Sequence, residues 1–367
     1  MENFELTKLV ANLFFPNNLV QADDTGLPSI LVYIPAFKNS DVLTGGDDSV
    51  HPAFIVNGKT IPGFYYSKYQ NIVHTGVAYS LPGEDPQTTI TLDKALEVCE
   101  AKGYGWHLST AAEWAAIALW CKKNGFLPYG NNNYGKDSRE SEYKAVPTYR
   151  DADGAIARVA TGTGPVSWSH DRTMSGIWDM NGNIWEWQGG IRLVWGELQI
   201  LADNDAADPD NPQNDTSTCW KAINAADGSL VEPESNINDT AVKTSGGTVK
   251  LDYLNGAWTY STSVTNASTN GRYCQFIKVT CDNTIGDAAK VLLRTLALLP
   301  DEGVTNIDYE SDIVYWINSA SEVNVFRGGC FNNGAAAGIF YIAGLYPRTF
   351  ASSYVGFRCA YIPEITQ

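Results

Sequence analysis

Apolar residues recur at two spacings along the first third of the chain. Leu92, Ala95, Leu96 and Cys99 fall at i, i+3, i+4 and i+7, one face of a helix, with Thr91 ahead of them and Gly103 behind as a stop. A second helix is signalled more fully. Thr110 and Glu113 make a capping box, Trp114, Ile117, Ala118 and Cys121 line one face, Lys122 and Lys123 suit the dipole of the last turn, and Asn124-Gly125 ends it. Ahead of these, Ser29–Phe37 (SILVYIPAF) is β-branched and aromatic and predicts a buried strand. Ala53–Val56 and Gly63–Tyr69 predict two more, separated by the tight-turn dipeptide Asn57-Gly58.

The remaining pattern sets the organisation. Residues 1–28 end in Asp23, Asp24, Gly26 and Pro28 and read as a turn-rich N-terminal arm. Pro128 to Gly164 is polar and turn-rich, whereas Ile177–Trp187 (IWDMNGNIWEW) is dense in Trp and belongs in or near the core. Residues 203–215 form an acidic loop, and about 191–322 reads as an insertion or subdomain with one helical piece, Asp287–Leu299. No internal repeat or heptad pattern is present. Composition changes most over Val325–Ile362.

Composition narrows the function classes. The 44% hydrophobic and 18% charged content marks a globular chain, and 33 Gly with 19 Tyr and 11 Trp suits loops held by aromatic packing. A formal charge of -16 argues against nucleic acid, whose phosphates need a basic face, and against anionic lipid. The seven cysteines include no CxxC pair, which disfavours zinc, and their odd number argues against a disulfide framework. Cys99 and Cys121, at apolar helix positions, read as buried thiols. Residues 1–20 hold Glu2 and Glu5, with no basic n-region and no apolar run long enough for a signal peptide or a membrane span. The protein is therefore expected to stay in the cytoplasm where it is made, or to leave by another route, such as release inside a virus particle.

Three segments carry a family resemblance: HLSTAAEW at 107–114, GIWDMNGNIWEW at 176–187, and FRGGCF at 326–331 with VGFRCA at 355–360. In order and character they resemble the formylglycine-generating, sulfatase-modifying branch of the C-type-lectin-like superfamily. The resemblance implies an α+β, C-type-lectin-like (formylglycine-generating-enzyme-like) domain over 29–190 and 323–367, with much irregular loop and the 191–322 insertion. In that family a copper oxidoreductase activity depends on two cysteines downstream of R-G-G-S. The corresponding positions here fall near Asn333 and Gly338, Cys330 replaces the Ser, and Cys359 belongs to the scaffold end. A lone thiol cannot supply a two-thiolate site. Nor do the scattered His51, His74, His107 and His170 suggest a base–nucleophile pair. The chain is therefore expected not to be an enzyme, with the oxidoreductase kept as the competing reading.

The last segment, FRGGCFNNGAAAGIFYIAGLYPRTFASSYVGFRCAYI, resembles the variable region of diversity-generating retroelement target proteins, which end such a scaffold in a segment diversified at adenine-rich codons. Randomising the first two bases of an Asn codon cannot yield Trp, Met, Lys, Glu or Gln, and none of these occurs between Cys330 and Cys359. By average usage that absence arises by chance roughly once in several hundred segments. The large apolar residues Phe340, Tyr341, Leu345, Tyr346, Phe350 and Tyr354 stand among Ala, Gly and Ser, a mix that suits a paratope. A buried aromatic strand is the other reading, and Phe331, Phe340 and Phe357 match fixed scaffold positions. The resemblance thus implies a variable region at about 327–360. Its accessible binding face would comprise Cys330, Ala336, Tyr341, Ala343, Leu345, Tyr346, Thr349, Phe350, Ser352 and Tyr354. The ligand is expected to be a protein or a cell-surface ligand, in a phage receptor-binding or similar display role, with an oligomer possible. A structural tail component whose aromatic segment packs on a neighbour is a third reading.

The same resemblance implies calcium at Asp179, Gly182, Ile184 and Glu186, through two side chains and two carbonyls, oxygen donors of the kind calcium takes. The alternative is that Asp179 caps a turn and Glu186 pairs an arginine. No cofactor is required on either reading. Arg327 and Arg358, at the two ends of the variable region, are expected to pair with carboxylates such as Glu186. Trp185 and Trp187 fall on one side of an extended segment with Glu186 on the other. They are expected to be buried together with Trp114 and Phe357.

Overall fold

The capping box at Thr110 closes as its sequence dictates. Thr110 Oγ1 accepts from the Glu113 N–H at 3.2 Å, Glu113 Oε2 accepts from the Thr110 N–H at 3.1 Å, and the helix runs Ala111–Asn124. The other helix of the pair, Leu92–Glu100, starts on a Thr91 cap. The computed structural model describes residues 3–305 and 309–363, so Glu2 and the expected scaffold end at 364–367 lie outside the described residues.

Two sheets position everything else. In the smaller, the strands run Asn18–Ala22, Pro28–Pro35, Gly63–Ser67, Cys359–Tyr361 and Trp106–Leu108, so the C-terminal strand is inserted between segments from the first third of the chain. The larger sheet has twelve strands. Its main path is Arg272–Gln275, Ile313–Trp316, Ile342–Tyr346, Val323–Arg327, Trp185–Val194, Glu197–Ile200, Lys250–Leu254, Ala257–Ser261 and Thr280–Cys281. Segments from 191–322 thus add strands on both sides of the C-terminal pair. The helical piece there spans Asp287–Thr295. The architecture is α+β, dominated by sheet.

Alternation divides the larger sheet into two cores. Val314, Trp316, Val323, Val325 and Ile342 face one cluster, together with Trp114 and Ile117 of the capped helix. Trp185, Trp187, Phe326, Tyr341, Ala343 and Phe357 face the other. All four rings expected to be buried are buried, but Trp114 lies across the sheet from the other three, because its helix packs on the opposite face. Cys99 and Cys121 are buried as expected, and Cys99 Sγ stands 2.7 Å from Cys359 Sγ.

Two local expectations need correction. The N-terminal arm is turn-like only around Asp23–Leu27, where Asp23 Oδ1 accepts the N–H groups of Thr25 and Leu27. Before that it forms a helix, Asn3–Phe14, and a strand, Asn18–Ala22. The signal was present, since Leu6, Leu9, Val10, Leu13 and Phe14 share one helical face, which the chain leaves exposed. Ala53–Val56 is a 3-10 turn, Pro52–Phe54, followed by a short strand, and the Asn57-Gly58 turn leads it into Lys59–Thr60 rather than to 63–69. No described helix is long and apolar enough to cross a membrane.

Candidate functional site: an aromatic face over the C-terminal strands

The site is built in layers on one side of the larger sheet. Trp187 and Phe326 are register partners on neighbouring antiparallel strands, and their rings meet at 3.9 Å between centroids. Trp187 Nε1 donates to the Ile90 carbonyl at 3.0 Å, so its polar edge is satisfied in the core. Trp185 packs on Phe326 at 5.3 Å and on Tyr341 at 6.0 Å, and its Nε1 donates to Asn333 Oδ1 at 2.9 Å. This lower layer is buried throughout.

The upper layer is half-exposed. Tyr346 and Phe350 stack face to face, 3.7 Å apart and 5° from parallel, and both rings contact the edge of Phe326. Tyr354 meets Trp185 edge-on at 5.3 Å. Leu345 packs on the same cluster. Ala336 and Ser352 are half-exposed and Thr349 is exposed. The one charged residue between Cys330 and Gly356 is Arg348, and it turns inward: it donates to Glu322 at 2.9 Å, to Asp93 at 2.7 Å and to the Gln213 carbonyl at 2.7 Å.

Three of the ten expected face residues are not accessible. Cys330, Tyr341 and Ala343 are 2%, 1% and 0% exposed. Tyr341 and Ala343 share a strand face with Leu345, yet they are covered, Tyr341 by Trp185 and Ala343 by its flanking register partners Tyr315 and Phe326. Cys330 is held in a turn where Asn333 Oδ1 accepts its N–H. The other seven retain accessible surface. Sequence reasoning missed Ile313 and Tyr315, which pack half-exposed against the same cluster, and Tyr273, which meets Tyr315 edge-on at 6.0 Å and is 63% exposed. Their alternation with buried Val314 and Trp316 was readable, but nothing in one sequence joined that strand to the C-terminal one.

The positions where the resembling enzymes carry cysteines serve other ends. Asn333 caps Trp185 and the Cys330 turn. At Gly338 a β-carbon would lie 2.0 Å from Asp312 Oδ1, leaving no room for a thiol. Burial pushes the Cys330 thiol up to about 12, far from a reactive thiolate.

The two flanking arginines behave differently. Arg358 meets expectation: its Nε donates to Glu186 Oε2 at 2.7 Å, and its guanidinium also serves the Trp178, Lys68 and Ser67 carbonyls. Among the described residues no carboxylate pairs with Arg327. It donates to the carbonyls of Leu296 and Ala297, just beyond the Asp287–Thr295 helix, because Arg358 already holds Glu186. Burial lowers its pKa to about 10.

The residues proposed for calcium do gather, but not as a metal site. The carbonyls of Gly182 and Ile184 and Glu186 Oε1 converge, joined by the Asp179 carbonyl rather than its carboxylate. Left-handed backbone at Asp179, Gly182 and Asn183 shapes this loop, and a β-carbon at 182 would lie 2.2 Å from the Asn131 carbonyl oxygen. What the four oxygens converge on is the side-chain nitrogen of Gln70. The Asp179 carboxylate turns aside, accepting the Gly162 N–H through Oδ2 at 2.8 Å, and burial pushes its pKa to about 6. No group of three or more His, Cys, Asp or Glu side chains suited to a metal occurs among the described residues. As assembled, the residues do not fit a calcium ion.

Comparison with known proteins gives a family match over the middle part of the chain. The family model described as "Sulfatase-modifying factor enzyme 1-like domain" matches residues 56–192. No curated protein gives a significant match. Among solved structures, "Major Tropism Determinant P3c Variant" is 9% identical with a TM-score of 0.28 over 90% of this chain, which spans 62% of that one. "Treponema denticola variable protein 1" is 11% identical with a TM-score of 0.34, covering 95% of this chain and 100% of the other. PvdO from Pseudomonas aeruginosa is 14% identical with a TM-score of 0.29, covering 91% and 94%. Residues 56–192, which hold the capped helix and most of the Trp-rich strand, are thus similar to the sulfatase-modifying factor enzyme 1-like domain, within a chain whose fold is α+β.

Proposed function

We propose that this protein is a non-catalytic display protein, of the diversity-generating retroelement variable type, that holds a protein or cell-surface ligand on its C-terminal aromatic face. The accessible part of that face is Ala336, Leu345, Tyr346, Thr349, Phe350, Ser352 and Tyr354. The observation that carries the reading is the layering: half-exposed Tyr346, Phe350 and Tyr354 rest on buried Trp185 and Phe326, while the charged residue of the segment points inward. Rings of this kind offer contact area at low entropy cost, and small neighbours leave room for a partner to approach. The setting we propose is a phage virion, where the face acts as a receptor-binding tip, singly or within an oligomer. Loss of chemistry belongs to the same reading, since Asn333 and Gly338 stand where a thiolate pair is needed.

The test is the gene's surroundings. Sequencing the flanks is expected to find a near-copy of the region encoding 330–354, with Asn codons at the accessible positions, beside a reverse transcriptase gene. Independent isolates are expected to differ at those positions and to keep Phe326, Arg327, Gly356 and Arg358. An isolate series with substitutions spread evenly through the domain, and no near-copy, contradicts the proposal.

A further inference from the structure

The oxygen cage of residues 179–186 is closed around an amide whose orientation follows from the backbone. The Val159 N–H can only donate and its carbonyl can only accept. Asn183 Oδ1 therefore takes the Val159 N–H at 3.0 Å, and Asn183 Nδ2 faces the Val159 carbonyl at 3.2 Å. The same Nδ2 donates to Gln70 Oε1 at 2.8 Å, which fixes Gln70 in turn. Gln70 Nε2 must then point at the cage. It stands 2.9 Å from Glu186 Oε1, 3.2 Å from the Asp179 carbonyl, and 3.4 Å from each of the Gly182 and Ile184 carbonyls. Reversing the amide would set Oε1 against four oxygens and Nε2 against the Asn183 nitrogen. Gln70, Asn183, Glu186 and Asp179 are all at most 1% exposed, so water does not relax this constraint.

We infer that the Gln70 amide group takes the place of a cation in this cage, making the C-type-lectin-like core independent of calcium. A carboxamide N–H₂ supplies two donors and a partial positive charge where a divalent ion would supply full charge. The charge balance suits that weaker centre. Glu186 is already neutralised by Arg358 Nε at 2.7 Å, and the Asp179 carboxylate points away to the Gly162 N–H. A calcium ion here would have to expel a side chain anchored to backbone through Asn183. Replacing that amide by a carboxylate reverses the situation. Gln70→Glu removes both donors and sets a second negative group against Glu186 Oε1, which is the donor set that a hard cation binds.

The experiment is a pair of melts on the full-length chain, in excess chelator and in millimolar calcium, with bound calcium measured by elemental analysis. The wild-type chain is expected to melt at the same temperature in both and to carry well under one calcium per chain. Gln70→Glu is expected to melt several degrees lower than wild type in chelator and to recover when calcium is added, with about one ion bound. A wild-type chain that binds stoichiometric calcium and loses stability in chelator overturns the inference. So does a Gln70→Glu chain as stable as wild type in chelator, since the amide would then not be holding the cage. If Gln70→Glu does not fold, the wild-type measurement decides alone.

Discussion

Arg358→Ala is expected to destabilise the protein by about 3–5 kcal/mol, the range for breaking one side of a buried ion pair. Arg358 and Glu186 are 0% and 1% exposed, and the guanidinium joins Glu186 to three carbonyls from two other segments. Removing it strands a carboxylate with Gln70 as its remaining donor and leaves the Trp178 carbonyl without its 2.6 Å partner. Burial raises the Glu186 pKa, and Arg358 opposes that rise. Without Arg358 the folded-state pKa moves further above the unfolded one. A carboxylate in that state adds stability when protonated and loses it as pH rises through the folded value. The deficit of Arg358→Ala is therefore expected to be largest at neutral pH and to narrow as pH falls. Denaturant melts at several pH values check this. A double change, Glu186→Gln with Arg358→Met, is expected to recover part of the loss by removing the stranded charge.

Trp187→Ala is the second large effect, also about 3–5 kcal/mol. The ring is 0% exposed, packs 3.9 Å from Phe326, and satisfies the Ile90 carbonyl. Its removal opens a void beneath the aromatic face and leaves a buried acceptor without a partner, two separate penalties. Because Phe326 is also the ring on which Tyr346 and Phe350 rest, the upper layer is expected to lose order as well. Thermal melts give the first quantity, and near-ultraviolet circular dichroism, reporting on ring packing, gives the second. A melt close to wild type would mean that Trp187 is not the floor of the site.

Local signals carried most of the scaffold. The capping box at Thr110 and Glu113 sets a helix boundary by short-range hydrogen bonds, so one sequence suffices to place it. The alternation of Trp185 and Trp187 with Glu186 likewise separates ring face from charged face, and Glu186 finds Arg358 as the chemistry requires. Non-local contacts were less legible. Tyr341 and Leu345 have the same parity on one strand, but Trp185 covers the first and nothing comparable covers the second. Which ring ends up on top depends on how residues 347–354 fold back, and that is absent from the period-2 pattern. The contribution of Tyr273 and Tyr315 was hidden for the same reason, since their strands join the sheet from distant sequence. Arg327 shows the limit of charge reasoning: a buried cation needs acceptors, and here carbonyls beyond a helix end take the place of a carboxylate.

The upper layer of the aromatic face is expected to be dispensable for folding, whereas the layer beneath it is not. A pool with Ala336, Leu345, Tyr346, Thr349, Phe350, Ser352 and Tyr354 randomised together, read by resistance to protease, tests it most directly. Each half-exposed ring removed is expected to cost only about 1 kcal/mol, well below a fully buried one. Most members of the pool are therefore predicted to survive, while an equal pool randomised at Cys330, Tyr341 and Ala343 is predicted to be largely digested. Survival restricted to members that keep aromatic residues at 346 and 350 would contradict the account, because those rings would then be core.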